Sequence, residues 1–168
     1  MAARKAVIAG LLGGLAGAWT MNQFQALMSR ASAESNGGTD RESSDEQAHS
    51  EDEDATQRLA QAIAEQTIDR RLSKDELTIA GPVVHYSYGT LMGAVYAVLA
   101  ERFETPPAVG GAAYGTLLWA AGDEIAVPLF GLSRPSTEFP VSTHVQALAA
   151  HLVYGITTDL VYRCGRAI

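Results

Sequence analysis

Residues 83–100 read VVHYSYGTLMGAVYAVLA, and His85 is the one side chain among them that ionises near neutral pH. A helix that crosses a bilayer needs about 20 predominantly apolar residues, and residues 82–102 supply that length. A core helix of a soluble bundle would present a charged outer face to water, but this stretch has none. It therefore predicts a membrane-spanning helix.

Three further apolar segments accompany this one, over residues 6–28, 109–132 and 141–162. We therefore predict an all-α protein, a four-span transmembrane helix bundle with a long acidic, partly disordered loop between spans one and two. Two alternatives are a soluble four-helix bundle and an N-terminal signal peptide, which would be cleaved near residues 31–33. Short, proline-containing connections make spans two, three and four antiparallel neighbours.

The predicted division of the chain follows its composition. It comprises a first transmembrane helix (1–30), a disordered acidic loop (31–57), an amphipathic interfacial helical segment (58–80) and a three-span domain (81–168). Residues 31–78 hold 13 of the 19 acidic residues, and the other 120 residues hold six. Such an acidic, apolar-poor stretch buries too little surface to order itself. Further on, Ser73 and Glu76 have the spacing of a helix capping box.

Charge and cysteine content exclude several classes of function. A net charge of −7 argues against nucleic acid as a partner, because phosphate binding needs a basic surface. Cys164 is the single cysteine, so an intrachain disulfide and a cysteine-based zinc site are excluded. The sequence carries no hydrolase, phosphate-loop or metalloprotease motif. We therefore expect no enzymatic activity, no catalytic residue and no cofactor.

Pairs of glycines four residues apart recur in three of the four segments. In a bilayer, small residues at this spacing allow helix backbones to approach closely. We therefore predict helix-packing faces, and these faces would serve the bundle itself, a homo-oligomer or a membrane-protein partner. The pairs are Gly10/Gly14, Gly13/Gly17, Gly89/Gly93 and Gly111/Gly115.

Ionisable groups within the segments form a candidate polar cluster. Its members are His85, Asp123, Glu124, His144 and His151. The order of the spans places all five in the half of the bundle remote from the N-terminus. Charged groups at membrane depth are costly and mark functional sites by default; the alternative for His151 is a core histidine bonded to a backbone carbonyl. Adjacent residues on a helix point about 100° apart, so we expect at most one of the two carboxylates, Glu124, to face the centre beside a histidine.

Three chemistries would suit this cluster. Imidazole and carboxylate groups can exchange protons near neutral pH, as in a proton relay or a pH sensor. Two histidines and a carboxylate can bind a divalent metal. Two histidines can also ligate haem, but His85 and His151 are expected at different depths, so haem is disfavoured.

Basic residues beside the spans indicate the orientation. Most of those closest to the spans lie on the side of the N-terminus, which the positive-inside rule makes cytoplasmic. They are Arg4, Lys5, Arg102, Arg163 and Arg166. We therefore expect a multi-pass protein of the inner (plasma) membrane, embedded in the lipid bilayer, with both termini in the cytoplasm.

A set of motifs spans the second half of the chain. They are Gly81-Pro82-Val83-Val84-His85-Tyr86 with Gly89, Gly93 and Tyr96; Trp119, Asp123-Glu124, Val127-Pro128-Leu129 and Gly131-Leu132; and Ser142-Thr143-His144 with His151-Leu152-Val153-Tyr154-Gly155. In order and spacing, residues 77–163 resemble the YagU-like family of inner-membrane proteins of unknown function. The resemblance implies an integral membrane protein, and acid tolerance through the family's namesake, but no known catalytic residues.

The leading hypothesis is a small membrane bundle that responds to or conducts protons and aids acid or envelope stress tolerance. One alternative is an accessory or assembly subunit that binds a membrane partner through its glycine-rich helix faces. A third is a divalent-metal binder or transporter.

Overall fold

The computed structural model describes residues 2–35 and 42–167, and the secondary structure within them is helical, with no β-strand. The elements are α1 (Ala2–Ser35), α2 (Glu42–Ile68), α3 (Lys74–Ala100), α4 (Val109–Leu118), a π-helical segment (Trp119–Ala126), α5 (Val127–Leu129), a 3-10 turn (Ser136–Glu138) and α6 (Val141–Ala167). The all-α prediction is confirmed. From α4 through α5 the helical chain is unbroken.

Among the described helices, α3 alone is long and apolar enough, by length and composition, to cross a membrane. Only 22% of its apolar window is buried inside the protein. The core helix of a soluble protein would be mostly buried, so this low fraction favours a lipid-facing helix. A single helix of this kind is weak support for a membrane protein, and the four-span arrangement stays a prediction.

Within residues 31–57, where the sequence predicts a disordered acidic loop, the residues that the structure describes are helical. Helix α1 continues to Ser35 and α2 begins at Glu42, while residues 36–41 lie outside the described part of the chain. Glutamate, glutamine and alanine are good helix formers. Helix α2 also packs on α3, and its Ala55, Ala60 and Ala64 are buried. Packing on α3 buries these alanine side chains, and the composition of the segment gives no sign of that contact.

A sharp break separates α2 from α3 inside the segment 58–80, at the place where the sequence predicts a capping box. Asp69 adopts a left-handed backbone with φ of 48°, a conformation that aspartate tolerates better than most residues. The predicted capping box is confirmed. The Ser73 hydroxyl accepts from the Glu76 backbone N–H at 3.3 Å, and the Glu76 carboxylate accepts from the Ser73 N–H at 2.8 Å.

Helix α1 lies between α3 and α6, while α4 packs on α6 and α2 packs on α3. The short connection between α3 and α4 therefore does not make their backbones close neighbours, contrary to the expectation from connection length. Tyrosine side chains occupy the space between these two helices instead. Tyr114 of α4 donates to the Met92 carbonyl of α3 at 2.6 Å, and its ring centroid lies 5.1 Å from that of Tyr96.

Small and polar residues form the interior, and large apolar residues form the outer surface. Within the described part of the chain, the buried side chains are those of alanine, tyrosine, one methionine, Thr158 and Asp159. No leucine, isoleucine, valine, phenylalanine or tryptophan is buried there. Exposed ones occur on every long helix: examples are Leu12, Leu91, Leu117 and Val145, each more than half exposed. This distribution is the reverse of the pattern in water-soluble proteins.

Candidate functional site: two histidine–carboxylate pairs

The π-helical segment Trp119–Ala126 carries both candidate carboxylates. Such segments are rare and often mark functional sites. Pro128 follows the segment and has no N–H to donate to the Glu124 carbonyl four residues earlier. The Ser136 hydroxyl donates to that carbonyl instead, at 2.9 Å. The connection between α5 and α6 is thereby attached to the carboxylate-bearing segment.

Glu124 and His144 form the first pair. The His144 Nδ1 lies 2.6 Å from the Glu124 Oε1, and the His144 Nε2 lies 3.1 Å from the Ser136 carbonyl oxygen. A carbonyl oxygen only accepts, so Nε2 must carry a proton. For the short contact at Nδ1 to be a hydrogen bond as well, a second proton is needed, on the imidazole or on the carboxylate. Both ring nitrogens of His144 thus face acceptor atoms, the Glu124 carboxylate and the Ser136 carbonyl.

Asp123 and His151 form the second pair, deeper along α6. The His151 Nδ1 lies 3.5 Å from the Asp123 Oδ2 and 2.9 Å from the Ala147 carbonyl oxygen. Nδ1 therefore donates to Ala147, which is the core-histidine arrangement that the sequence offered as an alternative. Both carboxylates thus face α6, whereas the sequence led us to expect at most one. His144 and His151 lie seven residues apart on α6, so they project from the same face of the helix. Each of them lies beside one of the two carboxylates.

His85 stands beside an aromatic ring in the same half of the bundle. Its ring meets that of Tyr86 edge-on, with centroids 5.5 Å apart. The Tyr86 hydroxyl accepts from the Asn22 side-chain amide of α1 at 3.2 Å. Of the five candidate residues, the structure therefore brings four together as two pairs between the π-helical segment and α6, while His85 contacts Tyr86 on α3.

No group of three or more histidine, cysteine, aspartate or glutamate side chains within the described residues could hold a metal ion. Each histidine of the two pairs faces one carboxylate, which is fewer ligands than a zinc site uses. The divalent-metal hypothesis therefore has no geometric support in the described part of the chain.

All eight predicted packing glycines are buried and lie at contacts between helices of this chain. On α1, Gly10 and Gly14 lie against Gly93 and Gly89 of α3. The other α1 pair, Gly13 and Gly17, lies against α6 at Thr158 and Tyr154, and Gly111 and Gly115 of α4 lie against α6 at Gly155 and His151. An added Cβ at these positions would collide with backbone or side-chain atoms of the neighbouring helix.

A second polar network, which sequence reasoning did not single out, lies near the opposite end of α6. Asp159 is completely buried, and its carboxylate accepts from the Tyr96 hydroxyl at 2.6 Å, the Arg163 Nε at 2.5 Å and the Ala108 N–H at 2.7 Å. Arg163 also donates to the Thr105 carbonyl at 2.8 Å. The available signal was an aspartate four residues before an arginine within an apolar helix.

Comparison with models of protein families shows which family this chain belongs to. Residues 41–160 match the model of a family described as Protein of unknown function (DUF1440). The chain belongs to this family. The DUF1440 match includes α2, the π-helical segment and both histidine–carboxylate pairs, and it leaves α1 outside. No curated protein and no solved structure matches the chain.

Proposed function

We propose that this DUF1440 protein is a multi-pass membrane protein with four spans. The main support is the distribution of side chains: every long helix exposes large apolar residues, while alanine, glycine and tyrosine fill the interior. Lipid tails provide no hydrophobic drive between helices, so close backbone packing and interhelical hydrogen bonds must hold them together. The bundle has both, for example in the Tyr154 hydroxyl that donates to the Gly89 carbonyl at 2.6 Å.

The proposed location is the inner (plasma) membrane, with both termini in the cytoplasm. The basic residues beside the spans support this orientation through the positive-inside rule. The resemblance of residues 77–163 to the YagU-like family of inner-membrane proteins supports the same location.

We propose further that the protein responds to protons through its histidine–carboxylate pairs, in the service of acid or envelope stress tolerance. One observation carries this proposal: both ring nitrogens of His144 face acceptors, the Glu124 carboxylate and the Ser136 carbonyl. That arrangement needs a proton which a neutral histidine and an ionised glutamate together lack. Histidine is the side chain that exchanges such a proton between about pH 5 and pH 8.

The packing of α4 on α6 supports a proton-responsive protein over a proton-conducting one. Gly115 lies against the His151 carbonyl and Gly111 against the Gly155 carbonyl, with no room for a Cβ at either contact. Water fits poorly into so close a backbone contact, and proton conduction needs a continuous chain of water or titratable groups.

Imidazole ¹⁵N NMR of the detergent-purified protein tests the proposal. At about pH 6, we expect both nitrogens of His144 to be protonated, or its Nδ1 to share a proton with Glu124. In Glu124→Leu the acceptor at Nδ1 is gone, so a neutral His144 should carry its proton on Nε2, where the Ser136 carbonyl accepts it. Glu138→Leu, which removes an exposed acid from the same connection, should leave the His144 signals unchanged. A His144 that stays singly protonated in the wild type at every pH would refute the proposal.

Proton flux into liposomes distinguishes response from conduction. We expect the reconstituted protein to leave the flux at the level of empty liposomes. A measured flux that disappears in both His151→Ala and Glu124→Gln would instead establish conduction.

A second candidate function is an accessory subunit that binds a membrane partner. The predicted glycine faces are occupied by contacts within the chain, so such a partner would have to contact the exposed apolar surface. Stable co-purification of another membrane protein in mild detergent would favour this function.

A further inference from the structure

We infer that the connection between α5 and α6, residues 130–140, is a strap whose attachment to the bundle depends on the proton held by the Glu124–His144 pair. This inference rests on the proposed proton-responsive function, and the strap is the part of the molecule that would move. The observation behind it is that Ser136 contacts both members of the pair. Its carbonyl lies 3.1 Å from the His144 Nε2, and its hydroxyl donates to the Glu124 carbonyl at 2.9 Å.

Loss of the shared proton removes one of these attachments. A neutral imidazole has a single N–H, so it cannot donate to Glu124 and to Ser136 at once. The contact to the carboxylate is charge-assisted and about twice as strong as a neutral one, so the remaining proton stays on Nδ1. The Nε2 lone pair then faces the Ser136 carbonyl, and two acceptors repel each other. The strap is therefore attached when the proton is bound and loosened as the pH rises.

Glu124 is the charged group in direct contact with the His144 ring. From the connection, Phe139 meets the His144 ring edge-on with centroids 6.4 Å apart, and the Arg134 guanidinium carbon lies 5.0 Å above the Phe139 ring. Further along α6, His151 lies beside Asp123. The Ser136 hydroxyl bond to the Glu124 carbonyl does not titrate, so loosening leaves the strap attached at that point.

A spin label on the strap tests the inference. Thr137 is exposed on the 3-10 turn and Cys164 is the only other thiol, so Thr137→Cys in a Cys164→Ser background gives one labelling site. Between about pH 5 and about pH 9, we expect the ratio of mobile to immobile label to rise about fivefold, the factor for losing one hydrogen bond of about 1 kcal/mol. A label at Phe103→Cys, exposed on the α3–α4 connection, should show no such change.

Two variants uncouple the strap from the proton by different routes, so the test does not depend on the folding of either one. His144→Gln carries an amide that does not titrate. In Glu124→Leu no carboxylate competes for the imidazole proton, so Nε2 keeps its proton and its bond to the Ser136 carbonyl in both charge states of the ring. We expect the mobility of the label to become independent of pH in both. The inference is overturned if the wild-type label does not respond while NMR shows His144 losing its proton, or if the response persists in both variants. If His144 shows no titration at all, the proposed function fails together with the inference.

Discussion

Replacing Asp159 by alanine is expected to lower the free energy of unfolding by about 3 kcal/mol, because each buried donor left without an acceptor costs about 1–3 kcal/mol. Asp159 is completely buried, and three donors converge on its carboxylate. Its loss leaves the Tyr96 hydroxyl and the Ala108 N–H without an acceptor in the interior. Thermal unfolding of the purified protein, followed by circular dichroism in detergent, measures the effect.

The α3–α4 connection explains why this carboxylate should be difficult to replace. Ala108 has a φ of 65°, a left-handed conformation that costs a non-glycine residue about 1–3 kcal/mol. The Asp159 carboxylate holds the Ala108 N–H in place just before α4 begins. Glu104→Ala removes an exposed acid from the same connection and should change stability by about 0.5 kcal/mol or less. An Asp159 variant as stable as the Glu104 variant would contradict this account.

Helices α1, α3, α4 and α6 could be predicted from the sequence because each lies in a long apolar run, whereas α2 could not, because its first half is acidic and poor in apolar residues. The glycines could also be singled out, because a spacing of four residues places two small side chains on one helix face. What the spacing could not indicate is which helix each face contacts. The structure pairs α1 with both α3 and α6 through two different faces, Gly10/Gly14 and Gly13/Gly17.

The sequence identified the residues of the histidine–carboxylate pairs but not those of the Asp159 network. The candidate histidines and carboxylates were identifiable, since ionisable groups are rare in apolar segments. Their pairing was not, because a regular α-helix separates Asp123 from Glu124 by about 100° and the π-helical segment alters that geometry. The Asp159 network joins residues more than 50 positions apart through a left-handed backbone at Ala108, which no local pattern predicts.

Replacing Gly93 by leucine is expected to separate α1 from α3 and to destabilise the fold by about 3 kcal/mol or more, at the upper end of the range for overpacking. A Cβ on Gly93 would collide with the Gly10 carbonyl oxygen and the Gly14 backbone. Backbone atoms within a helix cannot move aside as the end of a flexible side chain can, so the whole helix must shift. Thermal unfolding, together with size-exclusion chromatography in detergent, measures the loss of the folded protein.

Gly122→Leu provides the matched control, since both variants add the same side chain to a helical glycine. Around Gly122 the nearest atom to an added Cβ is the Tyr88 hydroxyl, at 4.0 Å, an ordinary contact distance that leaves space for the new group. We expect this variant to retain a folded, monodisperse protein with a loss of about 1 kcal/mol or less. Equal stability of the two variants would show that the Gly10–Gly93 contact does not hold α1 against α3, and the close-packed arrangement of α1 in the bundle would then be wrong.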